Sequence, residues 1–78
     1  MPTILKRGPY HFYFLAGDGG EPPHVHVRRD RQFAKFWLEP VVLQKAGSFD
    51  RTEIRRIQRI IQQHQTAFLE AWCDFFNR

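Results

Sequence analysis

His24-Val25-His26-Val27-Arg28-Arg29-Asp30-Arg31-Gln32-Phe33-Ala34-Lys35-Phe36-Trp37-Leu38 reads as a β-hairpin. Its first arm alternates His-Val-His-Val, the period of two expected of a strand with one face covered. Asp30-Arg31 supplies the turn, although it is not the favoured Asn-Gly type. With that turn, Trp37 falls opposite His24 and Lys35 opposite His26. Phe36 and Ala34 then fall opposite Val25 and Val27, which makes one face apolar. A slip of one residue would exchange the two faces, so this register decides what the sheet presents.

Working towards the N-terminus, Glu21-Pro22-Pro23 is rigid, and its two fixed φ angles preset where His24 points. Gly17-Asp18-Gly19-Gly20 is a loop. It lacks the Gly-x-x-x-x-Gly-Lys spacing of a phosphate loop and does not lead into a helix. Tyr10 to Leu15 is a strand of strong β formers, after the turn Arg7-Gly8-Pro9 and a short strand at Thr3–Lys6. Phe12 and Phe14 suit the covered face, and His11 and Tyr13 join the open one. In the other direction Pro40 ends the hairpin or marks an edge. Val41-Val42-Leu43 is a short last strand or an extended lead-in, and Ala46-Gly47-Ser48 is the final break.

From residue 49 the composition changes: Gly and Pro disappear and helix formers take over. Asp50 is an N-cap with Glu53 at N3, and Phe49 and Ile54 form a hydrophobic staple around it. An apolar stripe follows at steps of three and four: Ile54, Ile57, Ile61, His64, Phe68, Ala71, Phe75. Ile60, Leu69 and Trp72 widen it, and Arg55, Arg56 and Arg59 make a basic stripe on the wet side. The expected fold is α+β, an antiparallel meander of three to four strands packed on one long C-terminal amphipathic helix. It forms a single domain over 1–78, with the sheet in 1–46 and the helix in 49–78. A helix from Arg51 to Phe76 is about 39 Å long, against about 20 Å for typical strands. It therefore lies diagonally, bends near Gln62–Gln65, or overhangs. An overhanging end would expose Phe68, Trp72, Phe75 and Phe76 as a partner interface.

A chain of 78 residues has a marginal core. Cys73 is the single cysteine, so no intrachain disulfide can reinforce it. A metal, a partner, including a second copy, or good packing of its many aromatic side chains are the remaining routes. No stretch of about 18 apolar residues is present, which excludes a membrane-spanning helix. The start lacks the pattern of a secretory signal, and a reduced cytoplasmic setting is expected. The net charge of +4 suits a polyanion or an acidic protein without requiring either.

Three chemistries compete for the open face. His-x-His on a strand is half a transition-metal site, for which His11 or Glu39 would have to supply further ligands. No cysteine cluster or His-Glu-x-x-His pattern supports it, so no cofactor and no metal is expected. The second is acid–base work on RNA. His24 and His26 act as general acid and base, Lys35 or Arg28 meets the phosphate charge, and Trp37 or Tyr13 stacks a base. Arg28, Arg29 and Arg31 cluster at the hairpin tip as phosphate contacts. The third is an ordinary solvated sheet face, where polar side chains are the default.

The Met1-Pro2-Thr3-Ile4 start, Pro22-Pro23-His24-Val25-His26-Val27, Ala34-Lys35-Phe36-Trp37-Leu38-Glu39-Pro40 and a closing helix with Glu70-Ala71-Trp72 resemble a family of small bacterial proteins. That family is catalogued as a domain of unknown function, often encoded in pairs suspected to be toxin–antitoxin modules. The resemblance implies a bacterial cytosolic protein with a small cognate partner encoded nearby, and His24, His26, Lys35, Trp37 and Glu39 as site candidates. The expectation is a toxin-like component acting on RNA as a metal-independent ribonuclease type. The alternatives are a non-enzymatic protein- or nucleic-acid-binding module, antitoxin-like, and a small metal-binding protein.

Overall fold

The computed structural model describes residues 3–77; Met1 and Pro2 of the opening block, and Arg78, lie outside the described residues. Five strands follow in chain order: β1 (Thr3–Arg7), β2 (Tyr10–Tyr13), β3 (His24–Arg29), β4 (Gln32–Leu38) and β5 (Val41–Lys45). They form one antiparallel meander in the order β1-β2-β3-β4-β5. Two helical segments follow, α1 (Arg51–Gln63) and α2 (Gln65–Phe76), and a single 3₁₀ turn (Ala16–Gly20) lies between β2 and β3. The class is α+β as expected, but there are five strands where three to four were expected. Val41–Lys45 is no lead-in to the helix. Leu38 pairs with Val41 directly across the Glu39-Pro40 turn, and the pairing continues to Lys35 and Lys45.

The central hairpin has the expected register, with His24 opposite Trp37, Val25 opposite Phe36 and His26 opposite Lys35. On its other side Phe12 pairs with Val27, and Tyr13 with His26. Asp30 turns the hairpin with φ +54°, a left-handed conformation that aspartate tolerates better than most residues. The covered face carries Phe12, Val25, Val27, Phe36 and Leu38, all without solvent exposure. Ile54, Ile57, Ile61, Phe68 and Trp72 of the helices close over it. Each such side chain contributes about 1.5–3 kcal/mol by leaving water.

The helix starts where capping chemistry puts it. Asp50 accepts the Glu53 backbone N–H at 2.8 Å, and Phe49 and Ile54 are buried around the cap. The Glu53 carboxylate accepts a hydrogen bond from the Tyr10 hydroxyl at 3.0 Å and pairs with Arg29 at 3.1 Å, tying the first helical turn to β2 and β3. Where one long helix was expected there are two, α1 and α2, interrupted at His64 inside the Gln62–Gln65 patch that was one of three ways of fitting the length. There the His64 Nδ1–H donates to the Ile60 carbonyl at 2.9 Å, and Gln65 donates to the Leu38 carbonyl at 2.7 Å. α2 lies against the sheet and does not overhang it. Phe68 packs on Phe12 and Trp72 on Phe14, and both helix residues are buried within their own chain. Phe68 and Trp72 are therefore core and not partner interface, Phe76 packs on the core, and Phe75 is left 40% exposed. No helix of the described residues is long and apolar enough to cross a membrane.

Gly47 has φ +62°, and a Cβ there would lie 1.8 Å from the Phe33 carbonyl oxygen. Gly8 has a similar φ of +58° with open space around it. Gly8→Ala is expected to cost about 1–2 kcal/mol from backbone conformation alone. Gly47→Ala must also push β5 and β4 apart and is expected to cost clearly more. Urea midpoints of the two variants check this; equal losses would contradict the packing described for the β5–α1 turn.

Candidate functional site

The open face of the sheet holds one cluster of titratable groups, built from the 3₁₀ turn and the start of β3. Asp18 caps its own turn: its Oδ2 accepts the Leu15 N–H at 3.1 Å, and its N–H donates to the Leu15 carbonyl at 3.0 Å. This closed loop of hydrogen bonds folds the carboxylate inward over β3. Asp18 is 8% exposed despite its charge. The Phe76 ring presses on the same turn, close enough that a Cβ at Gly19 would lie 2.9 Å from it.

His24 and His26 both bring Nε2 to 2.9 Å from the same oxygen, Asp18 Oδ2. The two contacts are not equivalent. His26 makes an aligned hydrogen bond to it. His24 does not, and its Nε2 is buried without a hydrogen-bond partner. The other ring nitrogen of His24 donates to the Pro22 carbonyl at 3.0 Å, so the rigid Pro22-Pro23 pair does set this ring. The His24 ring lies at centroid distances of 5.1 Å from Trp72 and 5.7 Å from Trp37, wholly shielded from solvent.

His26 is half-buried and stacks on Tyr13 at 5.4 Å with the rings 19° apart. Burial lowers its pKa, and the adjoining Asp18 carboxylate opposes that shift. Burial pushes the Asp18 carboxyl up, but the Leu15 N–H, the His26 hydrogen bond and the charge of both imidazoles together hold it below the usual carboxylate range. Burial likewise raises the Tyr13 phenol. Lys35 stands beside His26 across the hairpin, with Nζ 2.8 Å from Glu21 Oε1 and 5.0 Å from the Trp37 ring centre. That bond holds Glu21 below its ordinary pKa.

The residues singled out from the sequence thus divide. His24, His26, Lys35, Tyr13 and Trp37 do share one face. His24 is sealed in, so it touches no substrate and cannot be the general acid or base expected of it. Lys35 is engaged by Glu21, and Tyr13 is buried under His26. Arg28 lies between His11 and Phe33 on the open face, and Arg31 is exposed at the hairpin tip. Arg29 is not with them. It points to the helix side, where it binds Glu53 and Gln32. Neither His11 nor Glu39 joins the histidine pair. The third member is Asp18 of the glycine-rich loop; the one signal for it in the sequence is an acid among glycines ahead of His-x-His. Beside the cluster a groove of about 680 Å³ runs along β4 and β5, lined by Tyr13, His26, Arg31, Phe33, Lys35 and Lys45 among others.

The family described as a domain of unknown function (DUF4160) matches residues 10–73, from the first residue of β2 into the last turns of α2. No curated protein and no solved structure matches the chain.

Removing the Asp18 carboxylate orphans the Leu15 N–H and the His26 N–H together. Asp18→Ala is expected to destabilise the fold by about 1–3 kcal/mol and to speed amide hydrogen exchange from Leu15 to Gly20. Glu21→Ala breaks an exposed ion pair and is expected to leave stability nearly unchanged. Denaturation and exchange measurements on both variants test this; equal behaviour would mean that Asp18 does not anchor the turn.

Proposed function

The chain belongs to the DUF4160 family, and for this member we propose binding of single-stranded RNA across the open sheet face, as the toxin-like component of a two-gene module. The observation that carries the reading is the uncovered groove, where cations flank an outward-facing aromatic ring. Phe33 is 51% exposed near the tip of the central hairpin, with Arg31 and Lys45 along the same groove. Arg28 stands opposite Phe33, and Lys6 opposite His11 continues the row to the far edge. A sheet that offers rings for stacking and a positive field for phosphates is how several single-stranded RNA binders work. The net charge of +4 has the right sign for steering a polyanion to it.

Acid–base chemistry, where the module performs it, belongs to His26. It is the one imidazole of the pair that lines the groove, and Asp18 orients its ring as a carboxylate orients a catalytic histidine. Arg31 or Lys45 then faces the phosphate, since Lys35 is tied to Glu21. The cognate partner is part of the same proposal, and exposed Leu15 and Phe75 offer it apolar contact.

Anisotropy titrations of a labelled single-stranded RNA test the surface. Charge reversal of Arg31 and Lys45 is expected to weaken binding and to flatten the salt dependence by about 0.7 per lost phosphate contact. Phe33→Ala is expected to cost about 1–3 kcal/mol of affinity with an unchanged salt slope. A slope untouched by the charge reversals would sink the reading. Induced expression of the chain alone, followed by growth and bulk RNA integrity, tests the toxin-like part. Normal growth with intact RNA would leave a binding module without toxicity.

A further inference from the structure

Among the described residues, His24 Nε2 is the buried side-chain polar atom that lacks a hydrogen bond. The opposite ring nitrogen determines its chemistry. Nδ1 lies 3.0 Å from the Pro22 carbonyl oxygen, which only accepts, so Nδ1 carries the proton. In the neutral ring Nε2 then presents a lone pair. Nε2 stands 2.9 Å from the Asp18 carboxylate oxygen without being directed along that line, an acceptor crowded against an anionic acceptor in a shielded place. A proton on Nε2 does not resolve the opposition, because the ring is not aligned for a hydrogen bond to Asp18. A cation shared by the two does.

We propose that Asp18, His24 and His26 bind one divalent first-row transition-metal ion. Their ligand atoms all lie within 4.8 Å of one another. Two ligands bonded at about 2.1 Å to one ion, at angles between octahedral and tetrahedral, stand about 3.0–3.4 Å apart. The two Nε2–Oδ2 separations of 2.9 Å are close to that value. The donor set selects the class of metal. Two imidazole nitrogens and one carboxylate oxygen suit zinc, iron(II) or cobalt(II), whereas calcium and magnesium want oxygen throughout. Support for the ligands is built in. The Pro22 carbonyl orients His24 through Nδ1–H, and the Leu15 N–H holds the carboxylate. Trp37 and Trp72 make a dry wall around His24. Three protein ligands leave a coordination position for water or a phosphate oxygen. The site stands independently of the RNA reading, since the ion binds whether or not the sheet face does, and it departs from the metal-independent chemistry expected from the sequence.

The experiment is titration of chelator-stripped protein with zinc by calorimetry, and with cobalt(II) by visible absorption. One ion per chain is expected, with cobalt bands typical of nitrogen and oxygen ligands. Asp18→Asn, which keeps an acceptor for Leu15, and His26→Gln are each expected to weaken zinc binding at least about tenfold while circular dichroism shows the fold intact. Failure of the wild-type chain to bind one equivalent of either metal overturns the proposal. So does unchanged affinity in both folded variants, which would place the ion on His11, His64 or Cys73. If either variant unfolds, the wild-type cobalt spectrum decides: thiolate charge-transfer absorption would assign the ion to Cys73 and overturn the site.

Discussion

A five-stranded sheet presents alternate side chains to two faces, and the helical half of this chain covers one of them. Most of the structure depends on that constraint. On the covered side, Val25, Val27, Phe36 and Leu38 meet the isoleucines of α1 and the aromatic residues of α2. On the other side the same strands offer His26, Lys35, Arg28 and Phe33 to solvent or to a ligand. The pleat makes the two sets inseparable: the register that buries the valines is the register that displays the histidine and the lysine.

The length of the helix enters the same constraint. Beyond the interruption at His64, where the ring bonds the Ile60 carbonyl and Gln65 bonds the Leu38 carbonyl, α2 packs over β2. Phe14 then receives Trp72, Phe75 and Phe76 together. This closure also reaches the site. Trp72 walls off His24, and Phe76 bears on the turn that carries Asp18, so the C-terminal helix shapes the cluster without contributing a polar group to it.

The cluster and the groove adjoin at His26 but differ in physical character. The groove is wet, cationic and aromatic, which suits a long flexible polyanion. The Asp18–His24–His26 group is small and largely dry, and its one unsatisfied atom, among the described residues, is a ring nitrogen beside a carboxylate. A half-buried imidazole between the two is placed to couple an ion at its Nε2 to whatever occupies the groove.

The hairpin register, the covered face and the N-cap at Asp50 were legible in the sequence, because each follows from local periodicity or capping chemistry. So was the gathering of His24, His26, Lys35, Tyr13 and Trp37 on one face, since strand alternation is a local rule. The division of one expected helix into two was not, because the length of the apolar stripe allowed a diagonal course, a bend or an overhang. The fifth strand was ambiguous because Val41–Leu43 carries β propensity with no partner in view. The full burial of His24, the turn of Arg29 to the helix side and the arrival of Asp18 beside the histidines were decided only by the tertiary structure. A glycine-rich loop has no periodicity to announce which way its one acid points. Burial of a strand-end histidine depends on where a helix some 40 residues later comes to rest, and no local pattern encodes that distance.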